Sequence, residues 1–421
     1  MTKGLDRAHC AACKFKSGRF NFASKRWQKD KIMRCIAFPA PPATLSPTLH
    51  IKVLLMNRFQ LLTLALALGG LAAQSQAATQ APAPSPVLAT PAAPIPIKVV
   101  VVTMFEIGAD SGDQPGEFQT WVERLPLPQT IAFPQGYRNL RYNPEQGVLG
   151  IVTGIGTARS SASIMALGMD PRFDLSKAYW LVAGIAGANP DTMSAGSAAW
   201  AEWLVDGDLS HEIDAREIPK GWSTGKIPLR SARPFQQPVP ADNEGAVYHL
   251  NPGLSNWAYQ LTKDTPLADD ADLRQLRSRY TGYPAAQQPP KVIKGDQLAG
   301  QTFWHGKLMN AWAEKWVDYW THGQGSFATS AMEETGTAQA LTFLSKAGRA
   351  DLNRLLVLRT ASNYTMPYPG KSAAASLAAE HEGSYSAYLP SLEAAFKVGS
   401  RVTRELSDHW DLYRDQLPAD K

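Results

Sequence analysis

The run VLGIVT (148–153) passes through Gly154, Ile155 and Gly156 straight into TARSSASIMALGM, a small-residue stretch that reads as a helix. Two other runs end in glycine-bearing loops. IKVVVVT (97–103) is a β-branched run that ends in the acidic loop MFEIGADSGDQPGEF, and residues 179–183 run into GIAGANP. Short, wholly apolar runs suit strands covered on both faces. Strand, glycine turn and helix in succession imply βα units on a mostly parallel sheet, with the loops gathered at the strand ends. The predicted fold class is therefore α/β.

Residues 196–205 (GSAAWAEWLV) and 354–360 (RLLVLRT) read as further strands, and 388–416 as a closing helix. Between them, 303–320 carries Trp304, Trp312, Trp316 and Trp320 at multiples of four, a spacing that lines one helix face and reads as core. Hydrophobic residues make up 44% of the 421, which supplies a large core and excludes disorder, collagen and coiled coil. One domain over 97–416 fits better than two.

The formal charge of +5 does not describe that domain. Residues 1–55 hold eleven Lys/Arg against Asp6 and Asp30, whereas acids outnumber bases beyond residue 78. A nucleic-acid partner is therefore not expected. All three cysteines (Cys10, Cys13, Cys35) also precede residue 36, so disulfides, thiolate nucleophiles and Cys-bound zinc are excluded from the main domain. The histidines form no HExxH or paired spacing; no metal and no cofactor is expected.

From Met56, MNRFQLLTLALALGGLAAQSQA has the layout of a secretory signal with a cut after Ala77, which predicts a periplasmic or secreted protein. Its apolar run is too short to span a bilayer, and no later run approaches that length. Residues 1–55 read as an upstream extension ahead of the true start at Met56, and 78–96 as an Ala/Pro linker.

The turn TGIG lacks the third glycine of GxGxxG, since Arg159 and Ser160 stand there, and no GK[ST] occurs. Dinucleotide or ATP binding is thus poorly supported. A glycine turn at a helix start also suits inorganic phosphate or close approach of a sugar.

Taken in order, VTGIG (152–156), VAGIAG (182–187), GQTF (300–303), Met332–Glu333 in SAMEETGTA and RTASN (359–363) resemble the nucleoside phosphorylase and nucleosidase superfamily. More closely, MFEIGADSGDQPGEF, VDGDLSHEID and THGQGSFATSAMEETGTAQAL resemble bacterial purine nucleoside permeases. The resemblance covers 97–416. It implies a nucleoside phosphorylase-like three-layer α/β/α fold with a central mixed, mostly parallel sheet.

It also implies a site that breaks an N-glycosidic bond through an oxocarbenium-like ribosyl cation, which needs an anion at the sugar and hydrogen bonds to the leaving base. By resemblance, Met332 and Glu333 hold the ribose hydroxyls, Glu333 accepting from both, while Glu334 points into solvent. Thr153, Gly154, Ile155, Gly156 and Gly187 are expected to contact substrate. Phe303 would stack on the base, with Trp304 beside it. Ser362–Asn363 stands where nucleosidases carry Ser-Asp; the Asn363 amide can donate to O6 and its carbonyl can accept from a protonated N7, which favours inosine and guanosine. For the nucleophile, Glu106 or, failing it, Asp110 would position water; in a phosphorylase, Arg159 and Ser160 would bind phosphate. A noncatalytic, transport-accessory nucleoside-binding protein uses the same residues. Oligomeric state stays open, a homo-oligomer included.

Overall fold

Val99–Thr103 is a strand with all five residues buried, in a computed structural model that describes residues 93–381 and 387–418. Val100 and Val102 pack with Ile164, Leu167, Leu341 and Leu344, whereas Val99 and Val101 pack with Trp121, Leu254, Phe396 and Val402. Alternate side chains of one strand therefore serve two cores. Helices Thr157–Gly168 and Glu334–Lys346 cover one face, and Gln119–Arg124, Pro252–Thr262 and Tyr388–Asp408 cover the other. The result is a three-layer α/β/α architecture, each buried aliphatic side chain contributing about 1.5–3 kcal/mol.

The central sheet is 12-stranded, mixed and largely parallel. Its main path runs Val247–His249, Trp203–Asp206, Asp296–Ala299, Phe327–Ala331, Tyr179–Ala188, Val99–Thr103, Val148–Val152, Leu140–Asn143 and Gln129–Ile131. Leu355–Tyr364 lies parallel to Tyr179–Ala188 along its length and also pairs with Ala198–Trp200. The sheet forks at Tyr179–Ala188. Its first half pairs with Val99–Val102, while Gly187 and Ala188 pair with Phe327–Ala331 instead. The strands diverge beyond Val182, and the loops after them face one another across that opening.

Small residues in the 157–168 helix serve a close helix contact. A Cβ at Gly336 would clash with the Thr157 carbonyl, and Ser160 and Thr337 hydroxyls meet at 2.6 Å. Helix Lys307–Trp320 packs over the other arm of the sheet, burying Trp312, Trp316 and Trp320 against Val205, Leu298 and Phe327.

Several element bounds differ from expectation. GIAGA belongs to the third strand and not to a turn, because Gly184 and Gly187 stay paired with Arg359 and Asn363. Trp304 precedes its helix, which starts at Lys307. The 196–205 run is two strands, Ala198–Trp200 and Trp203–Asp206. The closing helix ends at Asp408, and a short helix follows at Trp410–Tyr413. Ile95–Pro96, assigned to the linker, pairs with Phe173–Asp174, so ordered pairing begins before residue 97. The extension at 1–55, the export segment at 56–77 and the linker up to residue 92 lie outside the described residues.

Candidate functional site

A cavity of about 310 Å³ occupies the fork, walled by Met104, Phe105, Ile185, Met332, Phe303 and Trp304 and floored by charged groups. The charge is concentrated around Arg359, contributed by the Leu355–Tyr364 strand and only 2% exposed. Its Nε donates to Glu334, its Nη2 donates to Glu333 Oε2 at 2.7 Å, and its Nη1 donates to the Ile185 carbonyl at 2.9 Å. Nη1 also faces Glu117 Oε1 at the longer distance of 3.7 Å. One guanidinium thus faces three buried carboxyl groups at the cavity floor.

Each carboxylate is held from its own element. Glu117, at the end of the acidic loop, accepts the backbone N–H of Met104 at 2.7 Å and of Ile185 at 2.8 Å. Glu333 follows the Phe327–Ala331 strand, and its Oε1 accepts the N–H of Gly156 at 3.0 Å while Oε2 also accepts that of Met332 at 3.2 Å. Glu334 begins the next helix and accepts from Gln297 Nε2 at 3.3 Å. Gly184 lets these groups converge. A Cβ there would overlap Met104 Cε and the Glu117 carboxylate and lie 2.6 Å from Arg359 Nη1.

Burial dominates the protonation of the cluster. It pushes the Glu117 carboxyl up to about 8, against the pull of Arg359 and with the help of the Glu333 charge. Burial raises Glu333 as well, opposed by Arg359 and reinforced by Glu334. For Arg359 burial disfavours the charge, but Glu334, Glu333 and Glu117 together outweigh it and hold the guanidinium above its ordinary value. Tyr388 closes this side of the cavity, its hydroxyl donating to the Pro115 carbonyl at 2.8 Å and pushed up to about 12 by burial.

Of the residues singled out in the sequence, Ile155, Gly187, Phe303, Trp304, Met332, Glu333, Ser362 and Asn363 line this cavity. A register shift between Ala361 and Asn363 presents Ser362 and Asn363 together, with Ser362 Oγ donating to Asn363 Oδ1 at 3.1 Å. Phe303 is 51% exposed and stands at the rim. Thr153 and Gly154 do not line it; the Thr153 hydroxyl donates to the Gly154 carbonyl at 3.1 Å. Gly156 reaches the site only by donating its N–H to Glu333.

Four expectations are corrected. Glu106 is not on the cavity wall: its carboxylate accepts from the N–H groups of Ile107, Gly116, Phe118 and Gln119, so it closes the loop and caps the Gln119–Arg124 helix. Asp110 lies in a separate surface hollow, paired with Arg138 at 3.1 Å. Glu334 is fully buried beneath Arg359 instead of facing solvent. Nor do Arg159 and Ser160 form a phosphate pair: Arg159 is exposed over the Tyr137 ring, and Ser160 is buried against Thr337.

Sequence reasoning missed Glu117, Arg359 and Tyr388. Two of them lay inside quoted motifs, Glu117 in GDQPGEF and Arg359 at the head of RTASN. The readable signal was Arg359 itself, a cation amid a strand of buried residues, which demands carboxylate partners. Among the described residues, no group of three or more His, Cys, Asp and Glu is placed to hold a metal.

The sequence profile of the purine nucleoside permease family matches residues 96–418. A probable purine nucleoside permease of Schizosaccharomyces pombe is 26% identical over 330 residues, spanning 75% of this chain and 90% of the relative. The purine nucleoside permease of Candida albicans is 26% identical over 321 residues, spanning 75% and 76%. Among solved structures, futalosine hydrolase of Helicobacter pylori is similar with a TM-score of 0.44 at 14% identity, over 74% of this chain and 98% of that one. A 5'-methylthioadenosine/S-adenosylhomocysteine nucleosidase of Neisseria meningitidis gives 0.42 at 15% identity, over 73% and 99%.

Proposed function

The chain belongs to the purine nucleoside permease family, and from that premise we propose that it binds purine nucleosides in the cavity at the fork and hydrolyses their N-glycosidic bond. The observation that carries this reading is the pair of buried carboxyls, Glu117 and Glu333, facing one cavity from opposite sides of Arg359. Glycosidic cleavage develops positive charge on the ribose, and an anionic floor screened from water favours that charge.

In this proposal Glu117 takes the proton of the attacking water. A carboxyl pushed up to about 8 is matched in proton affinity to a base working near neutrality. Its ionised form grows as pH rises through that value, so turnover should rise with it. Glu333 holds the ribose. A carboxylate offers about four acceptor positions, and the N–H of Gly156, the N–H of Met332 and Arg359 Nη2 already occupy three. There is room for one ribose hydroxyl and not for both. Asn363 reads the base, its amide suited to O6 and N7 of a 6-oxopurine, and Phe303 covers the base from the rim.

Water is favoured over phosphate as the nucleophile for two reasons. Arg359 is the single cation among the described cavity-lining residues, and its Nε, Nη1 and Nη2 each already donate to a protein acceptor. The N–H of Gly156 at the start of the 157–168 helix, a natural anion donor, is already taken by Glu333. In this reading residues 56–77 act as a secretory signal and the reaction takes place outside the cytoplasm. Capture without cleavage is the second reading, favoured by the family's description as permeases; no described helix is long and apolar enough to cross a membrane.

The test is base release from inosine and adenosine in phosphate-free buffer. Hypoxanthine should form faster than adenine, by about 5- to 150-fold, because the Asn363 amide can donate to O6 of inosine but meets an amino donor in adenosine. Glu117→Gln should lower both rates by about 100-fold or more. Binding of inosine with no base released would favour capture.

A further inference from the structure

We propose that Glu334 is a positioning residue: by holding Arg359 from below, it keeps the guanidinium turned away from Glu117 and so preserves Glu117 as a group able to accept a proton. The inference rests on the reading of Glu117 as the base. Its foundation is the unequal way in which one guanidinium is shared.

Arg359 has three edges. Nε is committed to Glu334, Nη2 to Glu333 Oε2 at 2.7 Å, and Nη1 donates to the Ile185 carbonyl at 2.9 Å, leaving Glu117 at 3.7 Å. Glu334 is 0% exposed and wedged by Gln297 Nε2 at 3.3 Å and by the Glu333 N–H at 3.3 Å, so its carboxylate cannot swing away. Gln297 is itself fixed by the Thr329 hydroxyl and wholly buried. Glu334 lines no part of the cavity, and its influence on bound substrate must pass through Arg359.

The surroundings of Glu117 show what a freed Arg359 would change. The 355–364 strand supplies Arg359, the turn before the 334–346 helix supplies Glu333, and the 388–408 helix supplies Tyr388, which is itself influenced by Glu106 of the acidic loop. Arg359 is the only cation in that set. If the Glu334 charge is removed, two carboxylates remain for Arg359, and its best new arrangement closes the 3.7 Å gap to Glu117. A close ion pair favours the ionised carboxylate and weakens it as a base.

The experiment follows the carbon-13 carboxyl signal of Glu117 in the full chain, assigned by its disappearance in Glu117→Gln, and titrates it against pH. The wild-type midpoint should lie near 8. Glu334→Gln keeps volume but removes the charge that anchors Nε, and should move the midpoint down by about one pH unit or more. Glu334→Asp keeps the charge and should hold the midpoint near that of wild type. A midpoint that stays or rises in Glu334→Gln overturns the proposal. So does an equal downward shift in Glu334→Asp, which would assign the effect to packing. In the pH profile of inosine cleavage, the rising limb should move with the titration. If wild type cleaves no nucleoside, the reading of Glu117 as a base fails, while the titration still decides whether Glu334 controls the Arg359–Glu117 pair.

Discussion

Glu333 presents to the cavity a carboxylate with three of its acceptor positions already filled, by Gly156, Met332 and Arg359. The resemblance alone implied contact with both ribose hydroxyls, and hydrogen-bond counting reduces that to one. Inosine lacking the 2'-hydroxyl and inosine lacking the 3'-hydroxyl should therefore behave differently: one analogue loses roughly 10-fold or more in kcat/KM through a lost bond to a charged acceptor, and the other changes little. Equal losses for both would contradict the count. Glu333, Ser362 and Asn363 were legible because motif order carries identity for residues at strand ends. Glu117 was not, because two acids eleven residues apart in one loop look alike until the backbone N–H groups of residues 107, 116, 118 and 119 enclose Glu106 and leave Glu117 in the cavity.

Among the elements, the Tyr179–Ala188 strand determines where the site can be. Its wholly apolar first half was readable as a covered strand, but its second half was not, since glycines in sequence suggest turns. Gly184 and Gly187 are explained by what lies beside them: the Glu117–Arg359 pair and the Asn363 and Thr365 side chains. A methyl group at Gly184 would strike Met104, Glu117 and Arg359, so Gly184→Ala should cost about 1–3 kcal/mol in denaturant unfolding and abolish most base release. Normal stability together with normal turnover would show that the strand does not hold the pair in place. The Trp spacing in 307–320 was legible as a buried face for the opposite reason, since helical periodicity survives any tertiary context.

Across the whole molecule, the three-layer build was implied by the family resemblance, whereas the α/β class followed from runs such as VVVV and VLGIV, which bury both faces. The fork did not, because register and divergence depend on partners far away in sequence, as when Gly187 and Ala188 leave the Val99–Thr103 strand for Phe327–Ala331. That fork is what opens the end of a central strand into a cavity floored by carboxyl groups, with Arg359 as the single cation among its described lining residues. In the proposed reaction, water attacks the ribose there. Inosine should be incubated with the protein in oxygen-18 water containing phosphate, and the sugar product weighed by mass spectrometry. Free ribose carrying one oxygen-18 atom is the predicted product; ribose 1-phosphate, or inosine recovered intact, would contradict the claim.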